Sequence, residues 1–384
     1  MSAGPIYLDY QATTPTDPRV VAAMQPYWSA VYGNPHSADH AFGWKADAAT
    51  EAARAEIAQL IGADSDEIVF TSGATEANNL AVLGIARAAP PTRRRIVVSA
   101  IEHKCVIAAA RAAVEEGFEV VTAPVTPGGI VDLGALAELL DDRVALVSIM
   151  AVNNEIGTIQ PIKEIGELCQ SLDIIFHSDA AQALNFLQID VNNIGVNLLS
   201  LSAHKIYGPK GIGALYVNRN STIKPKPIIH GGGQEFGLRS GTLPTPLCVG
   251  FGEACRIIRD DNHEPNSNLA EMRNHFLNRL LEAVPSIIVN GTLTNRHPGN
   301  LNVRFPGVEA EIILSNLQPN VAASTGSACT SGQPEPSHVL RAIGLSTQDA
   351  ESSIRFSFGR FTTILEIDFA ISLINKSYRN IQGL

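Results

Sequence analysis

The chain has 384 residues, with 28 Lys plus Arg against 38 Asp plus Glu and a formal net charge of −10. That acidic balance argues against direct nucleic-acid binding or attachment to an anionic membrane, and no apolar run is long enough to span a bilayer. The length exceeds what one compact core usually fills, so one large and one smaller domain are expected.

Ala46 to Ile61 is rich in Ala and Glu, carries apolar residues at helical spacing and stops at Gly62, which predicts a helix. Glu67 to Phe70 reads as a short strand, after which Thr71-Ser72-Gly73-Ala74-Thr75-Glu76 opens another helix. Arg95 to Ser99 reads as a buried strand, Val106 to Glu116 as a helix and Glu119 to Val121 as a strand. Strands at Val144 to Met150, Ile174 to Phe176 and Leu198 to Leu201 continue the series. Continuous apolar strands separated by helices imply an α/β domain with a mostly parallel sheet covered on both faces. The last third predicts a helix over Asn268 to Ala283, short strands at Leu301 to Val303 and Ile354 to Ser357, and a terminal helix, an α+β arrangement. Alanine is dense to about Met150 and sparse beyond it. This shift falls inside the alternating region and marks no domain boundary.

The residues Met1 to Pro5 lack the basic and apolar parts of a secretory signal, and Asp9 and Asp17 suit a transit peptide poorly. A cytoplasmic location is therefore expected. Five cysteines, an odd number, do not suggest a disulfide framework. Cys105, Cys169, Cys248 and Cys255 show no CxxC pair and no His at metal spacing, so ordinary core packing is expected for all four and no metal site.

The fifth, Cys329, lies in the small-residue run Ser324-Thr325-Gly326-Ser327-Ala328-Cys329-Thr330-Ser331-Gly332. Glycine and serine flanks give such a thiol reach. Lys205 stands in the nearly charge-free stretch Leu201 to Pro209, and lysine is seldom buried without a partner chemistry. Lys210, in a Pro-Lys-Gly turn, competes with it. Asp179 ends the Ile174 strand at the carboxyl edge, where ligands of open α/β sheets bind. It serves either as a helix cap or as the carboxylate that keeps a pyridine nitrogen protonated, and Gln182 follows one turn on. The Thr71 to Glu76 turn is either an N-cap or an anion cradle at a helix start. Ser202 and His204 can bind phosphate beside it. His103 follows the Arg95 strand to the same edge, where imidazole can stack on a flat ring and shuttle protons. An amine able to form a Schiff base, a carboxylate for a pyridinium nitrogen and a thiol on a loop suggest pyridoxal-phosphate (PLP) chemistry ending on sulfur.

Several longer segments support that reading: Pro5 to Tyr10, Ala12 to Pro15, Gly33-Asn34-Pro35-His36-Ser37, Val152 to Gly157 and those around Lys205 and Cys329. Together they resemble the cysteine desulfurases, specifically the NifS/IscS-like class of the class-V aminotransferases, which are fold-type-I PLP-dependent transferases. The resemblance runs from about Ile6 to Thr363. It implies a large PLP-binding domain at 15–262 with a seven-stranded type of sheet. A small domain of 1–14 and 263–384 would carry the catalytic-cysteine loop at about 322–336. It also implies Lys205 as the Schiff-base residue, Cys329 as the persulfide-forming nucleophile and His103 as ring-stacking proton carrier. Asp179 would meet the pyridine nitrogen, and Asn154 and Gln182 the ring substituents. Ala74, Thr75, Ser202 and His204 would hold the phosphate, with Thr242 reaching in from a second subunit. Arg355, helped by Asn34 and Asn154, would bind the substrate carboxylate.

The implied reaction converts L-cysteine to L-alanine in a homodimer with a shared active site. The persulfide on Cys329 would pass to an acceptor protein, an iron–sulfur scaffold or another thiolation relay, and a transient cluster could form at Cys329. Selenocysteine lyase and cystine β-lyase share the PLP residues, and a catalytically inactive sulfur-relay platform is the non-enzyme alternative. Two departures stand out: Phe236 where the family often has arginine, and a chain stopping at Leu384 without the longer tail that docks the scaffold.

Overall fold

The computed structural model describes residues 4–261, 265–325 and 336–383. Seven strands form its main sheet: β2 (Ile68–Thr71), β3 (Arg95–Ser99), β4 (Glu119–Ala123), β5 (Val144–Ser148), β6 (Ile175–Asp179), β7 (Leu198–Ser202) and β8 (Gly213–Val217). Their spatial order is β2-β8-β7-β6-β5-β3-β4. Neighbours pair in parallel except at β8, which runs antiparallel to both β2 and β7. Strands β5 to β8 are buried at every position, as expected of a sheet covered on both faces. One core packs Phe70, Val147, Phe176 and Leu201 with Phe251 on one face of the sheet, and the other sets Val69, Ile96, Leu146 and Leu215 against the Ala74–Ala88 and Lys104–Glu115 helices.

A third core is separate. It joins β9 (Ile288–Val289), β10 (Asn300–Arg304) and β12 (Ser353–Ser357), in the antiparallel order β12-β10-β9, to the Pro265–Ala283 and Ile364–Gln382 helices. The short strand β1 (Ile6–Tyr7) pairs in parallel with β11 (Val321–Ala322), and Ile6 and Leu8 are buried in this same core. Residues from the far amino end of the sequence therefore stand beside residues from its last third.

The expected strands and helices occur within a few residues of their sequence assignments. Besides the two-residue strands β1, β9 and β11, strand β8 is an addition: Ala214-Leu215-Tyr216-Val217 was not singled out as a strand, because Gly211 and Gly213 precede it as turn signals. Gly213 is required there. A Cβ on it would lie 2.5 Å from the Leu201 carbonyl and 2.7 Å from the Gly73 Cα, so the strand start packs backbone to backbone against the turn after β2.

Candidate active site

The carboxyl ends of β2, β3, β6 and β7 deliver their following turns to one edge of the sheet. A cavity of about 660 Å³ opens there, lined among others by Ala74, Thr75, His103, Asn154, Asp179, Gln182, Ser202, His204, Lys205 and Arg355. These strands end on Thr71, Ser99, Asp179 and Ser202, so the sheet itself brings polar groups and their following turns to the rim. Lys210 also lines the cavity, but its side chain is exposed and no partner among the described residues defines its direction. Asn34 and Thr242 do not line it. Both are exposed, and the Asn34 side chain accepts the His36 N–H at 3.0 Å. Cys329 lies outside the described residues.

Lys205 Nζ donates to the carbonyl oxygens of Gln11 at 2.6 Å and Ala12 at 2.7 Å. Asp179 is buried, its Oδ1 accepting the Ala181 N–H at 2.9 Å and its Oδ2 the Asn78 side-chain amide at 2.7 Å. Gln182 donates to the Gln11 carbonyl at 2.9 Å. His204 Nδ1 lies 3.1 Å from the Thr13 hydroxyl. Burial, reinforced by the Lys205 and Lys210 charges, pushes His204 down to about 4, so it is neutral near pH 7. His103 is also held below the ordinary imidazole range, first by burial, with Lys205 adding to the effect and Asp179 opposing it.

The Ala74–Ala88 helix begins at Gly73, which has φ 150° and provides no side-chain cap. Of the two sequence readings of this turn, the side-chain N-cap is the one the geometry lacks. The opening N–H groups and the positive end of the helix dipole face an anion-sized space. Ser202 Oγ, buried in the same wall, has no hydrogen-bond partner among the described residues. Arg355 Nη2 donates to Asp9 Oδ1 at 2.6 Å and to the Ser324 hydroxyl at 2.9 Å, while Nη1 donates to the Asn154 carbonyl at 2.7 Å. The guanidinium is thus fixed at the cavity wall by residues from the two ends and the middle of the chain.

Three features of the site escaped the sequence reading. Asp9, Gln11 and Thr13 come from a segment noticed only for its resemblance. Asn78 sits mid-helix, where an amide reads as a solvent-facing residue. Cys105 corrects an expectation: the other three cysteines with described positions are buried in the core, but Cys105 is half-buried and lines the cavity. The position two residues after His103, in the first turn of a helix that starts at the sheet edge, was the available signal.

The class-V aminotransferase family pattern matches residues 6–369. The chain is 51% identical to cysteine desulfurase IscS of Rickettsia typhi (strain ATCC VR-144 / Wilmington) over 370 residues, covering 96% of this chain and 90% of that protein. Among solved structures, a NifS-like protein superposes with a TM-score of 0.91 at 33% identity, over 99% of this chain and all of that one. SspA in complex with cysteine superposes with a TM-score of 0.81 at 39% identity, over 93% of this chain and 100% of that one. A lysine, a carboxylate and an uncapped helix start in one cavity, on a sheet shared with these proteins, place the chain in the class-V aminotransferases, the PLP-dependent family to which it belongs.

Proposed function

We propose that this chain is a PLP-dependent cysteine desulfurase, taking sulfur from L-cysteine and releasing L-alanine. The observation that carries the reading is the convergence of Lys205, Asp179, His103 and Arg355 on one cavity, in a chain half identical to a cysteine desulfurase. The residues present fit the cofactor. The uncapped helix start at Ala74, the partnerless Ser202 hydroxyl and neutral His204 suit a phosphate, and Asp179 suits a protonated ring nitrogen.

Bound PLP supplies an electron sink that weakens the bonds around the substrate Cα and, through it, the carbon–sulfur bond. Lys205 would anchor the cofactor and is the amine placed to take the proton from the substrate Cα. Its ammonium rests on two main-chain carbonyls, which hold the amine at the cavity wall. Asp179, fixed by Ala181 and Asn78, keeps the ring nitrogen protonated. Arg355 pairs with the substrate carboxylate, competing with Asp9 for the guanidinium, while Asn154 and Gln182 bind around the ring. His103, on the cavity wall, would stack on the ring and carry the proton at sulfur.

Cys329, as thiolate, forms a sulfur–sulfur bond as the carbon–sulfur bond breaks. The electron pair goes to the substrate carbon, which is protonated to the alanine methyl group. A thiol of pKa near 8.5 is mostly protonated at neutral pH, so a base must take its proton first. The Cys329 persulfide then passes its outer sulfur to an acceptor, an iron–sulfur scaffold or another thiolation relay. Thr242 and Asn34, outside this chain's own cavity, act in a homodimer with a shared site. The 15–262 unit holds the cofactor, and the unit of 1–14 and 263–384 carries the cysteine loop; the separate third core supports this division. The location is cytoplasmic.

The test follows alanine release and ³⁵S transfer from labelled cysteine. Cys329→Ala is expected to keep the yellow cofactor absorbance and lose persulfide labelling. Lys205→Ala is expected to lose both the native absorbance and turnover. Undiminished labelling in the first variant, or normal turnover in the second, defeats the assignment, and cysteine turnover without Cys329 favours a β-lyase.

A further inference from the structure

The cavity wall holds one thiol to which the reaction above gives no role. Cys105 is the second residue of the Lys104–Glu115 helix, whose N-cap is His103. Its Sγ lies 2.9 Å from His103 Nδ1, and its backbone N–H donates to the same nitrogen at 3.2 Å. On its other side Asn78 Nδ2 donates to Sγ at 3.2 Å, and the same Nδ2 donates to Asp179 Oδ2 at 2.7 Å.

Two groups in this chain of contacts have fixed roles: the Asp179 carboxylate accepts and the Cys105 backbone N–H donates. A carboxylate only accepts, so the Asn78 amide donates to Asp179. The second amide hydrogen goes to Cys105 Sγ. Because the backbone N–H makes Nδ1 an acceptor, the thiol hydrogen donates to that nitrogen, with the Thr75 side chain as the thiol's other hydrogen-bond neighbour. Burial, with the Asp179 charge adding to it, pushes the Cys105 thiol up to about 12, so the hydrogen is present through the working range.

We propose that Cys105 is a positioning residue for His103: its S–H and N–H both point at Nδ1, holding the ring neutral with its hydrogen on Nε2. The proposal rests on the reading of His103 as the proton carrier at sulfur. Protonating Nδ1 displaces two donors at once, and without the thiol only the backbone N–H resists. The other groups facing the ring stay the same in that comparison. Lys205 and His338 oppose the imidazolium, Asp179 and Glu155 favour it, and Glu102 precedes it in the turn. Losing the thiol therefore raises the pH at which His103 takes a second proton.

The experiment compares pH–rate profiles for alanine release by the PLP-loaded wild type, Cys105→Ala, Cys105→Val and Cys105→Ser. Valine keeps the volume without a donor, and serine keeps a donor. The acid limb of kcat is expected to move up by about half a pH unit in the alanine and valine variants, costing about threefold in rate on that limb, and to stay in place with serine. A second readout needs no turnover: ¹⁵N shifts of His103, assigned by difference from His103→Gln, should show the imidazolium appearing at the same raised pH. Unmoved limbs with unmoved nitrogen shifts overturn the proposal, as does a serine variant displaced as far as alanine. If the wild type releases no alanine from cysteine, the functional reading fails instead, and the nitrogen shifts alone decide the role of Cys105. Should the alanine variant not fold, the valine variant decides.

Discussion

Glu102 is the most deeply buried acid near the cavity, with no measurable exposure. Its Oε1 accepts from the Ser99 hydroxyl at 2.6 Å and the Met150 N–H at 2.7 Å, while Oε2 has no partner among the described residues. Burial dominates these hydrogen bonds and raises the group to about 8, so it is protonated at neutral pH. The sign follows from linkage. Unfolding at neutral pH releases the proton, so Glu102 contributes stability below its unfolded pKa, and that contribution is lost as pH rises through about 8. Melting temperature measured against pH is expected to fall across this window in the wild type, and Glu102→Gln should flatten the fall. An equally steep decline in the variant would show that Glu102 does not titrate there. Nothing in Ile101-Glu102-His103 distinguishes a buried acid from an exposed one. Burial of Glu102 is a tertiary outcome, set by where β5 ends.

The turn after the long loop beyond β8 is held by a buried ion pair. Glu235 accepts from Arg54 Nη1 and Nη2, each at 2.8 Å, and from the Phe70 N–H at 2.5 Å. Glu235 and Phe236 both have positive φ, 50° and 58°, and Phe236 is 62% exposed with its ring 5.6 Å from the Arg54 guanidinium. Removing one partner of a buried pair strands the other, so Glu235→Ala is expected to destabilise the protein by about 3 kcal/mol, read by chemical denaturation. A loss under about 1 kcal/mol would mean that water replaces the carboxylate. Strands and helices with clear periodicity, such as Ala46 to Ile61 and Arg95 to Ser99, were legible in the sequence because burial repeats with the local geometry. Lys205 and Asp179 were legible from their local setting: Asp179 ends a strand at the sheet edge, and Lys205 stands in a nearly charge-free turn just after another. Strand β8, this strained turn and the Asn78–Cys105 contact were not, because each depends on a neighbour far away in sequence. Cys105 shows the cost of the generic rule. A small thiol in a helical apolar pattern reads as core, and only the arrival of His103 and Asp179 makes it part of the cavity.

At the scale of the molecule, Trp28, Tyr32 and Trp44 are each about 60% exposed and Phe42 is 52% exposed, within one stretch of 17 residues. Large aromatics gathered in this way suit a covered surface better than a wet one. Sedimentation equilibrium is expected to give twice the chain mass of 40.9 kDa, and Trp44→Glu should shift the population towards monomer with lower activity if Thr242 acts from the partner as proposed. A monodisperse active monomer would refute the shared site. Among the described residues no helix is long and apolar enough to cross a membrane. The strand Ile6–Tyr7 pairs with Val321–Ala322, and Asp9 holds a guanidinium located 346 positions later. During synthesis Asp9 must wait for a guanidinium partner that the ribosome has not yet made. A nascent polypeptide can complete its large sheet early, yet it has no finished vitamin-binding chamber until nearly all of it has been translated.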